Sequence, residues 1–390
     1  MAKVFLTKNR SKRIEQGHPW VFKTEIETIE GGFNPGDIVD VLNFKGKFLG
    51  RGYINPRSQI AVRFLTYNRD EIIDRNFFKK RILDALKYRE NLGFSGSFRV
   101  VYGESDLLPA LIVDKFEDIL VIQTLSLGID RFKSTIVDVL REIFNPRGIY
   151  ERNDVPVRDL EGLPQQKGYL YGEFDPIVVI EENGLKFYVD VEKGQKTGYF
   201  FDQKENRRAI APLVKDADVL ECFCYTGSFA LCAAHFGARK VLAYDVSNEA
   251  VEFARKNAEI NNLSQICHFS EGNAFDVLRQ FYDEGRKFDA VILDPPAFAK
   301  NKYALENAVR GYKEINLRGL KLLKPGGYLI TSSCSHHVSE ALFWEIIESA
   351  AFDARLKLRL VESRTQAKDH PILVPAEETR YLKFLMLQVL

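Results

Sequence analysis

The chain has 390 residues, 45% of them apolar and 28% charged, and a formal net charge of +1. That length allows two or three domains, and the composition excludes disordered and fibrous classes. A charge this near zero excludes a whole-molecule field that draws in nucleic acid, so RNA affinity must come from local patches. One such patch is Lys3, Lys8, Arg10, Lys12 and Arg13, a run that reads equally as a solvated basic face.

No run of about 18 apolar residues is present, so neither a membrane span nor a membrane partner is expected. The first residues lack the apolar core of a secretion signal, which points to the cytoplasm. Five cysteines give no disulfide framework. Cys222-Phe223-Cys224 followed by Cys232 has no second Cys or His pair, so no metal site is expected.

Residues 1–72 read as short strands and turns. Gly17-His18-Pro19-Trp20-Val21-Phe22 is a turn into an aromatic strand, and Asn34-Pro35-Gly36-Asp37 is a turn before a strand over 38–42. Strands over 48–53 and 60–64 continue the pattern, as in a small β-barrel. In 73–97 the apolar residues Phe77, Phe78, Ile82, Leu83 and Leu86 recur at helical spacing, a helical connector closed by Gly93. Residues 98–191 give strands over 99–102, 110–113, 119–124, 148–151 and 186–191 with a helix over 131–143, an α+β middle domain. From 192 to 390 strands and helices alternate, the pattern of an α/β doubly wound parallel sheet of Rossmann-like type. Its strands fall over 219–223, 240–244, 267–270, 289–293 and 328–332. The tail differs, with two strands over 356–362 and 381–389 in hairpin fashion.

The first strand of such a sheet delivers a nucleotide-type ligand to its carboxyl end. The turn there is Cys224-Tyr225-Thr226-Gly227-Ser228, with one glycine where a dinucleotide site wants three. A ligand without phosphates is favoured. Asp245 ends the second strand, where a carboxylate holds ribose hydroxyls. Asn273 follows the third strand, with Ala274 and Phe275 placed to flank an adenine. Ribose and adenine without pyrophosphate point to S-adenosylmethionine. Upstream, Lys196, Thr197, Gly198 and Gln203 lie in a turn-to-helix entry suited to the methionine end of that cofactor, or simply a tight turn with a capped helix.

Asp294-Pro295-Pro296-Ala297-Phe298 follows the fourth strand and Ser333-Cys334-Ser335 the fifth. If the two strands are neighbours, about 4.8 Å apart, Asp294 and Cys334 face one crevice. Carbon 5 of cytosine is too electron-poor to take a methyl cation directly. A thiolate adding to carbon 6 removes that obstacle, and Cys334 is the candidate nucleophile with Asp294 on the ring's nitrogen edge. Asp369-His370-Pro371 is a candidate source of a base. The Pro-Pro-aromatic turn read alone also suits methylation of exocyclic amines, and a non-catalytic RNA-binding assembly factor that merely keeps the fold is a further reading.

The chain resembles the bacterial large-subunit ribosomal RNA cytosine-5 methyltransferases of the RlmI type over nearly its whole length. The resemblance rests on residues 17–22 and 50–56, on Asp106-Leu107-Leu108-Pro109-Ala110-Leu111-Ile112-Val113-Asp114, and on Ile149-Tyr150-Glu151-Arg152. Its most specific block is Gly194-Gln195-Lys196-Thr197-Gly198-Tyr199-Phe200-Phe201-Asp202-Gln203. Tyr225-Thr226-Gly227, Asp245, Asp294-Pro295-Pro296 and Cys334 complete it. It implies an N-terminal PUA domain, a small α+β middle domain and a C-terminal class I methyltransferase domain. It also implies a 23S ribosomal RNA cytosine as target, large-subunit RNA as partner and a homodimer. Two departures stand out. Asn273 replaces the Asp of many related enzymes, and Pro296 stands where another branch has a second cysteine, so a different group must help release the product.

Overall fold

The computed structural model describes residues 1–8, 12–299 and 302–390. Arg10 of the N-terminal basic run therefore lies outside the described residues. Two compact units divide the chain: residues 1–180, 189–201 and 368–379 form the first, and 181–188, 202–367 and 380–390 the second. No helix among the described residues is long and apolar enough to cross a membrane.

The first unit begins with a six-stranded sheet. Its spatial order is Trp20–Phe22, Ile60–Thr66, Phe48–Ile54, Ile38–Leu42, Lys3–Leu6, Ile26–Glu30. All neighbours are antiparallel except Lys3–Leu6 with Ile38–Leu42. Strand alternation buries Val4, Leu6, Val39, Val41, Val62 and Phe64 in one core. The strands at 3–6 and 26–30 lack strong apolar alternation and went unread in the sequence. Of the basic run, Arg13 is committed to Glu25 at 3.0 Å and to the Trp20 carbonyl, so it is a structural cation rather than a free one. Lys8 lies over the Phe44 ring at 5.9 Å.

The helix Arg75–Asn91 starts where the Asp74 side chain accepts the Phe77 amide at 2.9 Å, a regular N-cap. It contributes Phe77, Phe78 and Ile82 to the core of a five-stranded sheet ordered Gln166–Tyr171, Gly148–Asn153, Ile119–Thr124, Leu111–Phe116, Phe98–Tyr102. Only the pair Ile119–Thr124 and Gly148–Asn153 is parallel, with the helix Lys133–Phe144 between the two strands in sequence. The strand expected over 186–191 belongs elsewhere. Leu185–Asp190 pairs with Ile177–Glu182 in a separate hairpin. Its turn is Asn183-Gly184, both at positive φ (54° and 80°), the backbone that a two-residue hairpin turn requires.

The second unit carries a seven-stranded sheet: β1 (Asp218–Cys222), β2 (Lys240–Asp245), β3 (Cys267–Glu271), β4 (Phe288–Leu293), β5 (Leu323–Ser333), β6 (Leu358–Arg364) and β7 (Lys383–Val389). Five helices alternate with them: α1 (Ser228–His235), α2 (Asn248–Ile260), α3 (Ala274–Asp283), α4 (Leu305–Lys321) and α5 (Glu340–Ala354). The strand order is β3-β2-β1-β4-β5-β7-β6. β1 to β5 are mutually parallel, and β7 inserts antiparallel to both neighbours. This is the doubly wound sheet read from the sequence, hairpin tail included. The order reverses between β1 and β4, the switch point outside whose strand ends such folds bind ligands.

Candidate active site at the carboxyl ends of β1, β4 and β5

The turn leaving β1 is tight. Phe223, Tyr225 and Gly227 all have positive φ (69°, 46° and 84°). At Gly227 a Cβ would also stand 2.8 Å from the Phe269 ring and 3.0 Å from Ala254, so only glycine lets α1 approach α2 and β3. The turn is bolted to β2: Asp245 accepts the Tyr225 amide on Oδ2 at 2.8 Å and the Ser247 amide on Oδ1 at 2.9 Å. Thr226 is buried, and its carbonyl accepts from Asn257 at 3.1 Å. Cys224 is buried as well, and burial pushes its thiol well up, which leaves it a small apolar filler. Asn273 caps α3 through Oδ1, which accepts the Phe275 amide at 2.9 Å, and Ala274 is buried behind it. The amide NH₂ of Asn273 and the second lone pair of its Oδ1 are left for a ligand.

Asp294 is the first residue beyond β4. Its Oδ1 accepts from Gln203 Nε2 at 2.8 Å and from the Ser332 hydroxyl at the end of β5. Burial pushes its carboxyl up, while those hydrogen bonds pull the other way. Gln203 is held in turn, its Oε1 accepting from Asn206 Nδ2 at 2.7 Å.

β4 and β5 are neighbours, as the sequence reading required, with Leu293 opposite Thr331. Cys334 follows β5, half-buried, with Sγ 3.9 Å from the Pro295 carbonyl oxygen. Ser335 Oγ donates to the Ala299 carbonyl at 2.9 Å. Ser332, Cys334 and Ser335 thus all meet the loop after β4. Beneath them the Phe298 ring lies 4.7 Å from that of Tyr312 and 6.2 Å from those of Phe223 and Phe275. The other four cysteines are buried, so Cys334 is the accessible thiol.

Lys196, Thr197 and Gly198 belong to the first unit. Lys196 has a left-handed backbone (φ 53°) and its Nζ lies 4.4 Å from the Phe200 ring centroid. Thr197 is buried, donating to Asp114 Oδ2 at 2.6 Å. Gly198 sits at φ +127°, where a Cβ would press on Val189 at 2.9 Å. Asp369 and His370 also lie in the first unit, both buried. Asp369 accepts the Arg99 amide at 3.0 Å and its other oxygen is 2.7 Å from His370 Nδ1. That dyad ties a loop down and is ill suited to act as an exposed base.

Three residues of the second unit escaped the sequence reading. Glu221, on β1, is 1% exposed, and its Oε2 has no hydrogen-bond partner among the described residues. Burial, then the nearby Asp294, pushes its carboxyl well up. A charged residue inside an apolar strand was the available signal. Tyr312 of α4 is fully buried, and burial pushes its hydroxyl up to about 12, with Cys334 and Asp294 among the charges it feels. Lys383 opens β7 and donates to the Ser335 and Tyr381 carbonyls, each at 2.7 Å. Nothing local in the sequence marks either of the last two.

The donor set suits a ligand of ribose, adenine and a cationic methionine arm. A carboxylate stands at the end of β2, buried carboxyls flank the switch point, and the turn after β1 has no glycine-rich phosphate cradle.

The comparisons agree. Residues 4–67 match the model of a PUA-like domain, and residues 165–385 match that of an S-adenosylmethionine-dependent methyltransferase. A ribosomal RNA large subunit methyltransferase I of Shewanella amazonensis is 45% identical over 99% of both chains. Another of that name from Tolumonas auensis is 42% identical over the same share. Among solved structures, a methyltransferase complexed with SAH superposes over all of both chains with TM-score 0.86 at 21% identity, a likeness of fold. The chain therefore belongs to the family of ribosomal RNA large subunit methyltransferase I, within the S-adenosylmethionine-dependent methyltransferases, and S-adenosylmethionine is its cofactor.

Proposed function

We propose that this protein methylates carbon 5 of a cytosine in 23S ribosomal RNA of the large subunit, through a covalent adduct with Cys334. The observation that carries the reading is the placement of the accessible Cys334 sulfur 3.9 Å from the Pro295 carbonyl, in the residue next to Asp294. The printed names of the relatives, which specify large-subunit ribosomal RNA, support the substrate class. The PUA-like domain supports RNA as the partner.

S-adenosylmethionine, when bound, supplies an electrophilic methyl group. Asp245 and Asn273 are the residues for its ribose and adenine. Gln203 and the Cys224-Tyr225-Thr226-Gly227 turn are those for its methionine portion. The target base leaves its stack to reach the crevice. The Cys334 thiolate forms a bond to carbon 6, and the displaced electron pair ends on nitrogen 3, which takes a proton from Asp294. A carboxyl pushed up by burial is suited to hold that proton. Carbon 5 of the resulting enamine is then nucleophilic. After methylation the carbon-5 proton passes to water, the carbon 5–carbon 6 double bond re-forms, and the thiolate leaves. Nitrogen 3 returns its proton to Asp294.

Cys334→Ala tests the reading. Methyl transfer to RNA should fall on the order of 10⁴-fold or more, with cofactor binding near normal by calorimetry. RNA carrying 5-fluorocytosine at the target should form a denaturation-resistant adduct with the wild-type chain only. A methyl group found on an exocyclic nitrogen by mass spectrometry of digested product would reject carbon-5 chemistry in favour of an exocyclic-amine enzyme. Tight RNA binding without any S-adenosylmethionine-dependent product would leave only an assembly role.

A further inference from the structure

We propose that Lys383 is the positioning cation of Cys334: its ammonium fixes the backbone around the nucleophile and stabilises the thiolate over the thiol. The inference rests on the covalent reading of Cys334 and adds a residue to it.

The geometry comes from the inserted strand. β7 runs antiparallel to β5, with Lys383 directly opposite Ser333, the residue before Cys334. The Lys383 Nζ donates at 2.7 Å to the carbonyl of Ser335, the residue after Cys334. A second bond of 2.7 Å to the Tyr381 carbonyl holds the ammonium in place. One residue therefore meets the chain on both sides of the nucleophile, its backbone opposite Ser333 and its ammonium on the Ser335 carbonyl. Two of its three hydrogens go to neutral carbonyls, which orient the cation without cancelling its charge.

Among the described residues, two further charged groups act on Lys383. Glu340 of α5 and Arg380 both act on Lys383, but they are ion-paired with each other at 2.6 Å. Burial lowers the ammonium to about 8, and the strongest opposing influence is Cys334 itself. That coupling is mutual, so a cation stabilised by the thiolate stabilises the thiolate equally. On the other side Tyr312 feels the charge of Cys334. Tyr312, its hydroxyl pushed up to about 12 by burial, is neutral at working pH. His336, next along the turn, has its ring 5.4 Å from that of Tyr381. Lys383 is a cation that acts on the sulfur through this coupling. Ionisation breaks only the S–H bond: the proton goes to water and the electron pair stays on sulfur. Above about pH 8 the lysine loses its own proton and its help fades.

The experiment measures alkylation of Cys334 by iodoacetamide against pH, with peptide mapping by mass spectrometry, in the wild-type chain, Lys383→Met and Lys383→Arg. The expected result is an upward move of the half-maximal pH by about one unit in Lys383→Met. Lys383→Arg keeps the charge and should stay near wild type, and the acid limb of the kcat profile should move in the same sense. Calorimetric binding of S-adenosylmethionine checks that each variant is folded, and Lys383→Gln replaces the Met variant if that one is not. Superimposable alkylation profiles in folded wild-type and uncharged variants would overturn the proposal, as would an Arg variant shifted as far as Met. The readout needs no turnover. Full methylation by Cys334→Ala would sink the covalent reading while the alkylation profiles still reported whether Lys383 acts on the sulfur.

Discussion

Ser335 Oγ donates to the Ala299 carbonyl at 2.9 Å and so fastens the turn after β5 to the loop after β4. Both groups are buried, and in sequence Cys334 stands between Ser335 and Ser332, whose hydroxyl joins Asp294. The position of Cys334 is therefore a property of two loops held together, not of either one.

Ser335→Ala removes that fastening and leaves the Ala299 carbonyl unsatisfied, at a cost of about 1–3 kcal/mol. The expected outcome is a kcat reduced about ten- to a hundredfold through misplacement of the sulfur. Cofactor affinity should be unchanged. Single-turnover methyl transfer beside calorimetry separates the two, and an unchanged kcat would show that the bond does not position the thiol.

Asp245→Ala takes away the acceptor for both the Tyr225 and Ser247 amides, as well as the carboxylate proposed for the ribose. Charge-assisted hydrogen bonds are worth about 1.5–3 kcal/mol each, so the Kd for S-adenosylmethionine should rise at least tenfold. Titration calorimetry measures it. An unaltered Kd would remove Asp245 from the cofactor site.

Gly227→Ala places a Cβ at φ +84° and 2.8 Å from the Phe269 ring. Left-handed strain of about 1–2 kcal/mol and overpacking of about 1–3 kcal/mol should together lower the denaturation midpoint. Chemical denaturation reads this directly, and a midpoint equal to wild type would show that the turn relaxes without cost.

Glu221 carries a carboxyl pushed well above its ordinary 4.5 by burial and by Asp294. A raised folded pKa means that the residue's contribution is full below the unfolded value and is lost as pH climbs through the folded one. Glu221→Gln keeps the shape and cannot ionise. Its Tm relative to wild type should therefore rise as pH is taken from about 5 to about 9. A Tm difference constant across that range would contradict the neutral, buried acid.

Much of the architecture is local and was legible. Apolar strands alternating with amphipathic helices announce a doubly wound sheet, because a parallel strand buried on both faces must be nearly continuous in apolar residues. Asp245, Asp294 and Cys334 stood out because each follows such a run. The Asn183-Gly184 turn was equally local, yet the hairpin it closes went unread. Its first strand, Ile177–Glu182, alternates buried and exposed residues and carries two acidic ones, which hid it beside stronger signals.

The sequence by itself determined the order of elements, the residue types at each strand end and the kind of cofactor, since these depend on short-range pattern and residue type. The neighbours of each strand end were left to the tertiary structure. Lys383 lies opposite Ser333 because β7 turns back between β5 and β6, a pairing across a long stretch of chain that no local periodicity encodes. The same long-range packing buries Glu221 beside Asp294 and leaves Cys334 open, which fixes whether an acid or a thiol in this sequence is inert or poised.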